Sequence, residues 1–99
     1  MTSLSTHVLD AVTGTPARGM SVQLDGGEQG VTDDDGRYRF DTPPAPGPHR
    51  LSFATGDWFA AAGRECFYPE VVITFTAGEG HHHVPLLLSP FAYSTYRGS

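Results

Sequence analysis

The side chains able to do chemistry near neutral pH gather at a few places in this 99-residue chain: His7, Arg37 after the turn Asp33-Asp34-Asp35-Gly36, and the run His81-His82-His83. A further group closes the sequence, Tyr96-Arg97-Gly98-Ser99, where a chain end ordinarily carries few large side chains. Histidine takes and gives protons near neutrality, so two histidines at i, i+2 on one strand face offer acid/base work. His81 and His83 have that spacing, and His82 must point the other way. The same pair could instead supply two ligands to a metal, with His7 as a third, or simply be solvated at a polar strand end. Arg37 has two readings as well: a surface charge paired with the acidic turn, or a cation for a planar anionic ligand. Tyr93 and Tyr96 read as packing residues on pattern alone. From residue types and spacing these alternatives stay open.

Composition removes several classes of function. Eleven acidic residues against six basic ones give a net charge of −5, which leaves no footprint for nucleic acid or an anionic membrane. All six basic residues are arginines, so lysine nucleophile and Schiff-base chemistry are closed to the chain. Cys66 is the only cysteine, which excludes an intrachain disulfide and a cysteine metal cluster and fits a reducing, cytoplasmic compartment. The opening residues lack the pattern of a signal peptide, and no stretch has the length of a membrane span. We therefore expect a complete, soluble single domain over residues 1–99.

The elements that must position these groups read as short strands. Apolar residues alternate with polar ones at Leu4-Ser5-Thr6-His7-Val8, with His7 on the less apolar face, and again at Met20, Val22 and Leu24. Tyr38 and Phe40 should turn inward while Arg37 and Arg39 face the opposite way. The proline-rich segment 43–48 reads as a loop, Leu51 and Phe53 resume the alternation, and Val71, Ile73 and Phe75 mark another strand. One helix is expected over Asp57–Gly63, with Asp57 as N-cap and Gly63 as terminator. Seven or so short strands with one short helix indicate an all-β fold, a β-sandwich of two antiparallel sheets. In His83-Val84-Pro85-Leu86-Leu87-Leu88 both faces are apolar, which predicts that another subunit covers the second face.

Four stretches carry more than pattern: "LSTHVLDAVTGTPARGMSVQL", "TDDDGRY", "FYPEVVITF" and "HHHVPLLLSPFAYSTYRGS". Together they closely resemble the 5-hydroxyisourate hydrolases, the transthyretin-like enzymes of purine breakdown. The terminal Tyr96-Arg97-Gly98-Ser99 is the most specific element, because true transthyretins share the "LLSP…YST" stretch but not this ending. The resemblance implies a transthyretin-like sandwich of two four-stranded sheets, assembled as a homotetramer, a dimer of dimers with its active sites in the groove between dimers. It implies no metal and no organic cofactor. The implied substrate is 5-hydroxyisourate, a planar and readily anionic small molecule, whose ring is opened at an amide bond to 2-oxo-4-hydroxy-4-carboxy-5-ureidoimidazoline. Carried over by matching motif, His7, Arg37, His83 and Tyr96 would be catalytic, and Arg97, Gly98 and Ser99 would bind substrate.

The chain departs from that pattern in three ways. It is several residues short between Val22 and Arg37, so an edge strand should be trimmed or missing. His82 stands where the family usually has tyrosine, which should alter packing rather than catalysis. Cys66 matches no catalytic position and reads as a buried small hydrophobe. Two other readings stand beside the hydrolase: a transthyretin-like protein that binds a small ligand without catalysis, and a zinc hydrolase built on His7, His81 and His83.

Overall fold

The structure is a computed structural model that describes residues 2–99. Among these residues nine strands and one helix follow in the order β1 (Thr2–Asp10), β2 (Thr15–Pro16), β3 (Ser21–Leu24), β4 (Gln29–Val31), β5 (Arg37–Arg39), β6 (Gly47–Phe53), α1 (Thr55–Ala61), β7 (Val71–Ala77), β8 (Gly80–Ser89) and β9 (Ala92–Thr95). They form two sheets. One runs β4-β3-β6-β7; the other runs β2-β1-β8-β9, with β5 also paired to β1. The outer edge of β1 is thus shared, its Leu9–Asp10 end by β2 and its Ser5–His7 segment by β5.

The β-sandwich with a single short helix is the expected architecture. One ladder departs from purely antiparallel pairing: β8 runs parallel to β1 from Thr2↔Gly80 to Asp10↔Leu88. A parallel pair needs a long crossover, and the whole second sheet lies in the chain between these two strands. The shortened segment after Val22 trims an edge strand without deleting it, since β4 keeps three residues paired to β3.

The core is the facing surface of the two sheets. Leu4, Val8, Leu86 and Leu88 from one meet Val22, Leu51 and Phe53 from the other, with Met20 and Phe59 filling the end, all at most 1% exposed. Each such side chain contributes about 1.5–3 kcal/mol on leaving water. β1 obeys the two-residue period along its length, with Leu4, Thr6, Val8 and Asp10 buried. The two polar members are paired. Thr6 Oγ1 donates to the Val84 carbonyl, and Asp10 accepts from the Arg64 guanidinium at 2.6 Å. Burial disfavours the Asp10 carboxylate, but Arg64 and the Thr13 and Val12 N–H groups outweigh it and hold its pKa below the usual range.

The helix begins two residues before the expected start, so Asp57 lies in its first turn rather than at the cap, which is Ala54. Tertiary bonds fix that first turn: Thr55 Oγ1 donates to the Tyr68 carbonyl and Gly56 N–H to the Pro69 carbonyl. Gly63, at φ +66°, follows the helix as expected. Cys66 is half-buried rather than buried, and its thiol donates to the Tyr68 carbonyl. Pro85 is already buried within the single chain and Leu87 half-buried, so part of the second face of β8 is covered without a partner. Among the described residues no helix is long and apolar enough to cross a membrane.

Candidate active site

Strand register gathers the chemistry on the outer face of the β1 sheet. His7 faces Arg37 across the β1–β5 ladder, and Ser5 faces Arg39. On the other side of β1, Ser5 faces His83 and Ser3 faces His81. Directly opposed residues project to one face, so three strands deliver Ser3, Ser5, His7, Arg37, Arg39, His81 and His83 to a common surface. The turn before β5 secures Arg37. Asp33 Oδ1 accepts the N–H groups of Asp35 and Arg37, and Gly36 at φ +76° passes its carbonyl to Val8 N–H. A Cβ on Gly36 would lie 2.4 Å from the Val8 carbonyl oxygen, so glycine is required there. The Asp33 carboxylate is spent on backbone, and among the described residues neither Arg37 nor Arg39 makes a side-chain ion pair.

A cleft of about 300 Å³ opens on this surface, with Ser5, Arg37, Arg39, His81, His83 and Ser99 in its wall. His7 and His83 have ring centroids 6.5 Å apart. His7 Nε2 lies 2.8 Å from the Asp35 carbonyl, which can only accept, so Nε2 carries a proton and Nδ1 is the open nitrogen of the neutral ring. His83 Nδ1 is 2.8 Å from Ser5 Oγ. Burial lowers the His83 pKa, and the nearby His7, His81 and Arg37 charges push the same way against a small opposing effect of Ser5. These influences favour the neutral form of His83, which has a lone pair to offer.

The chain end is tied to this site. Gly98 N–H donates to the His83 carbonyl at 2.9 Å, forming a one-residue antiparallel bridge. Its α-carbon lies so close that a Cβ would fall 2.4 Å from His83 Cδ2. Tyr96 and Arg97 are placed elsewhere. They line a second, more apolar groove of about 300 Å³ with Ile73, Phe75 and Val84, which meets the first cleft at His83. The structure thus brings His7, Arg37, His83, Gly98 and Ser99 together and sets Tyr96 and Arg97 beside them.

Ser3, Ser5 and Arg39 are the site residues that sequence reasoning passed over. The signal was present in the period of β1 and β5, since Ser3 and Ser5 must share a face with His7, and Arg39 with Arg37. His82 goes inward, 6% exposed, where Nε2 accepts from Gly78 N–H and Nδ1 lies 3.3 Å from the Ser3 carbonyl. Among the described residues no group of three or more His, Cys, Asp or Glu side chains is arranged to hold a metal ion. Both ring nitrogens of His81 are engaged by serine hydroxyls, at 2.6 Å to Ser3 and 2.9 Å to Ser5.

Comparison with known proteins gives a consistent result. The HIUase/Transthyretin family profile matches residues 4–98. A 5-hydroxyisourate hydrolase of Caulobacter vibrioides is 44% identical over the full length of both chains. The solved structure of Klebsiella pneumoniae 5-hydroxyisourate hydrolase superposes with a TM-score of 0.91, at 46% identity and complete coverage of both chains. Sea bream transthyretin in complex with thyroxine superposes at 0.82, with 32% identity over 96% of this chain and 93% of that one.

Proposed function

The chain belongs to the HIUase/Transthyretin family, and from that premise we propose that it is a hydrolase of 5-hydroxyisourate, opening the ring at an amide bond to give 2-oxo-4-hydroxy-4-carboxy-5-ureidoimidazoline. The observation that carries the reading is the convergence at one cleft of His83 with its lowered pKa, an Arg37 without an ion pair among the described residues, and the bound tail. Identity to relatives named as hydrolases, 44–46%, exceeds the 32% to the transthyretin neighbour. The hydrolase ending Tyr96-Arg97-Gly98-Ser99 is intact.

His83 is the general base. Its depressed pKa favours the neutral ring, and with Nδ1–H donated to Ser5 the bare Nε2 draws a proton from a water held between it and His7 as the oxygen attacks the ring carbonyl. Arg37 stands across β1 from His83, beside His7, and stabilises the oxyanion that develops. The protonated His83 then returns its proton to the departing ring nitrogen. Arg39 adds charge for an anionic substrate, while Ser99 in the cleft wall closes over the heterocycle and Gly98 anchors the tail to His83. Tyr96 and Arg97 reach substrate from the adjoining groove when the sites of two dimers meet in a homotetramer. Metal is not required, and the enzyme works in the cytoplasm.

The test is spectroscopic. 5-Hydroxyisourate is generated in place with urate oxidase and its decay followed with and without the protein, before and after a chelator. Acceleration over the spontaneous decay, unchanged by the chelator, is expected; no acceleration would refute the hydrolase, and loss of acceleration with the chelator would refute metal independence.

A further inference from the structure

Four side chains on the site face form an unbroken hydrogen-bonded file: Ser3 Oγ to His81 Nδ1 at 2.6 Å, His81 Nε2 to Ser5 Oγ at 2.9 Å, and Ser5 Oγ to His83 Nδ1 at 2.8 Å. We propose that Ser5, backed by His81 and Ser3, is a positioning residue that sets which ring nitrogen of His83 carries the proton, and so whether His83 meets the attacking water with a bare Nε2. The inference rests on the hydrolase reading for its consequence in catalysis and on geometry alone for the tautomer.

A serine hydroxyl has one proton and two lone pairs, and Ser5 Oγ touches two imidazole nitrogens, so it donates to one at most and accepts from the other, or accepts from both while its proton goes to a third partner. In one arrangement His83 Nδ1–H donates to Ser5, Ser5 donates to His81 Nε2, and His81 Nδ1–H donates to Ser3. His83 then presents an Nε2 lone pair to the cleft. In a second arrangement every bond in the file is reversed, and His83 presents Nε2–H. A third neutral arrangement also keeps all three bonds: both rings donate to Ser5, Ser3 donates to His81 Nδ1, and His83 again presents a bare Nε2. His83 therefore presents Nε2–H only when the Ser5 proton points at its Nδ1.

With Nδ1 protonated, Nε2 is free to take the proton of the attacking water, and the imidazolium so formed returns it to the leaving nitrogen without any reversal of the file. The resting polarity is set at the solvent end. His81 is exposed whereas His83 is half-buried, and Ser3, with its hydroxyl proton able to go to water, accepts readily from His81. The groups that face His83 are His7 and Ser5 from β1, Arg37 from β5 and His81 from its own strand. Among the described residues none of the others hydrogen-bonds Nδ1, so Ser5 is the partner that selects the tautomer.

The experiment combines three variants with a readout that needs no substrate. In wild-type protein at neutral pH, ¹⁵N shifts of the His83 ring should report Nδ1 protonated and Nε2 bare, and Ser5→Ala should move the population toward Nε2–H. In the hydroxyisourate assay, Ser5→Ala should lower kcat about ten-fold or more with KM nearly unchanged. Ser5→Thr, which keeps the hydroxyl, should retain most of the rate. His81→Ala should fall between them, because Ser5 remains but its own proton is no longer directed. A wild-type His83 that rests as Nε2–H would overturn the proposal, as would a Ser5→Ala enzyme with wild-type kcat, or a Ser5→Thr enzyme as slow as Ser5→Ala. A wild-type protein that fails to hydrolyse the substrate would refute the hydrolase reading while leaving the ring shifts to judge the tautomer.

Discussion

Gly98→Ala is the sharpest single perturbation of the tail. The added Cβ would lie 2.4 Å from His83 Cδ2, 3.1 Å from Cγ and 3.3 Å from the His83 Cβ. Carbon atoms pack at about 3.5–4.0 Å, so ring and tail must separate by roughly 1 Å. The ring is tethered on its far side by Ser5, and the tail by a single hydrogen bond from Gly98 N–H to the His83 carbonyl. Giving up that bond costs about 1 kcal/mol, which bounds the loss of global stability. The catalytic cost is larger, because a displacement of about 1 Å in a positioned group lowers rate on the order of 10²-fold. At 1.36 kcal/mol per factor of ten, that is about 2.7 kcal/mol of transition-state stabilisation. The assay is kcat/KM for hydroxyisourate decay beside a urea titration on the same preparation. Activity near wild type, or a stability loss as large as the activity loss, would refute the reasoning.

Arg37→Ala and His7→Ala should each slow turnover about 10²-fold or more without unfolding the protein, as melts and rates on the same samples will report. Because the His83 pKa lies below the ordinary histidine value, the acid limb of kcat/KM should fall below about pH 6.5; a limb above that value would contradict the assignment of His83 as base. Glu28 faces a burial cost, yet the Asp41 and Thr42 N–H groups and the Tyr38 hydroxyl hold its pKa at about 2, and the same contact pushes Tyr38 up to about 12. A depressed carboxyl contributes its stability above its unfolded pKa and loses it as pH falls through the folded one. Glu28→Gln should accordingly flatten the decline of melting temperature from about pH 4.5 down to about pH 2, and an unchanged slope would count against it. Arg64→Ala leaves the Asp10 carboxylate, 3% exposed, without its cation, and should cost about 2–3 kcal/mol in denaturant unfolding; a change under about 0.5 kcal/mol would show the pair to be dispensable.

Much of this molecule is legible in its sequence because strands have a period of two. The inward set Leu4, Val8, Met20, Val22, Leu24, Phe40, Leu51 and Phe53 follows from alternation alone, as does the outward placement of His7, Arg37 and His83. Alternation says nothing of which strands become neighbours. The parallel pairing of β1 with β8, and with it the contact of Ser5 with both His81 and His83, is a long-range choice of the folded core. The helix start moved for a similar reason, since Thr55 and Gly56 are fixed by Tyr68 and Pro69, residues that local capping preferences do not weigh. The tail was legible only by resemblance. Gly98 is needed because of a close approach to His83, and no spacing rule in one dimension reports an approach of that kind.

The central claim is that hydroxyisourate is hydrolysed at this cleft with His83 as the base. Comparing the decay of hydroxyisourate generated in place with wild-type protein and with His83→Ala, at equal folded concentration and pH 7, tests it most directly. The account predicts clear acceleration by wild type and a loss of about 10²-fold or more in the variant. Equal acceleration by both proteins would contradict it.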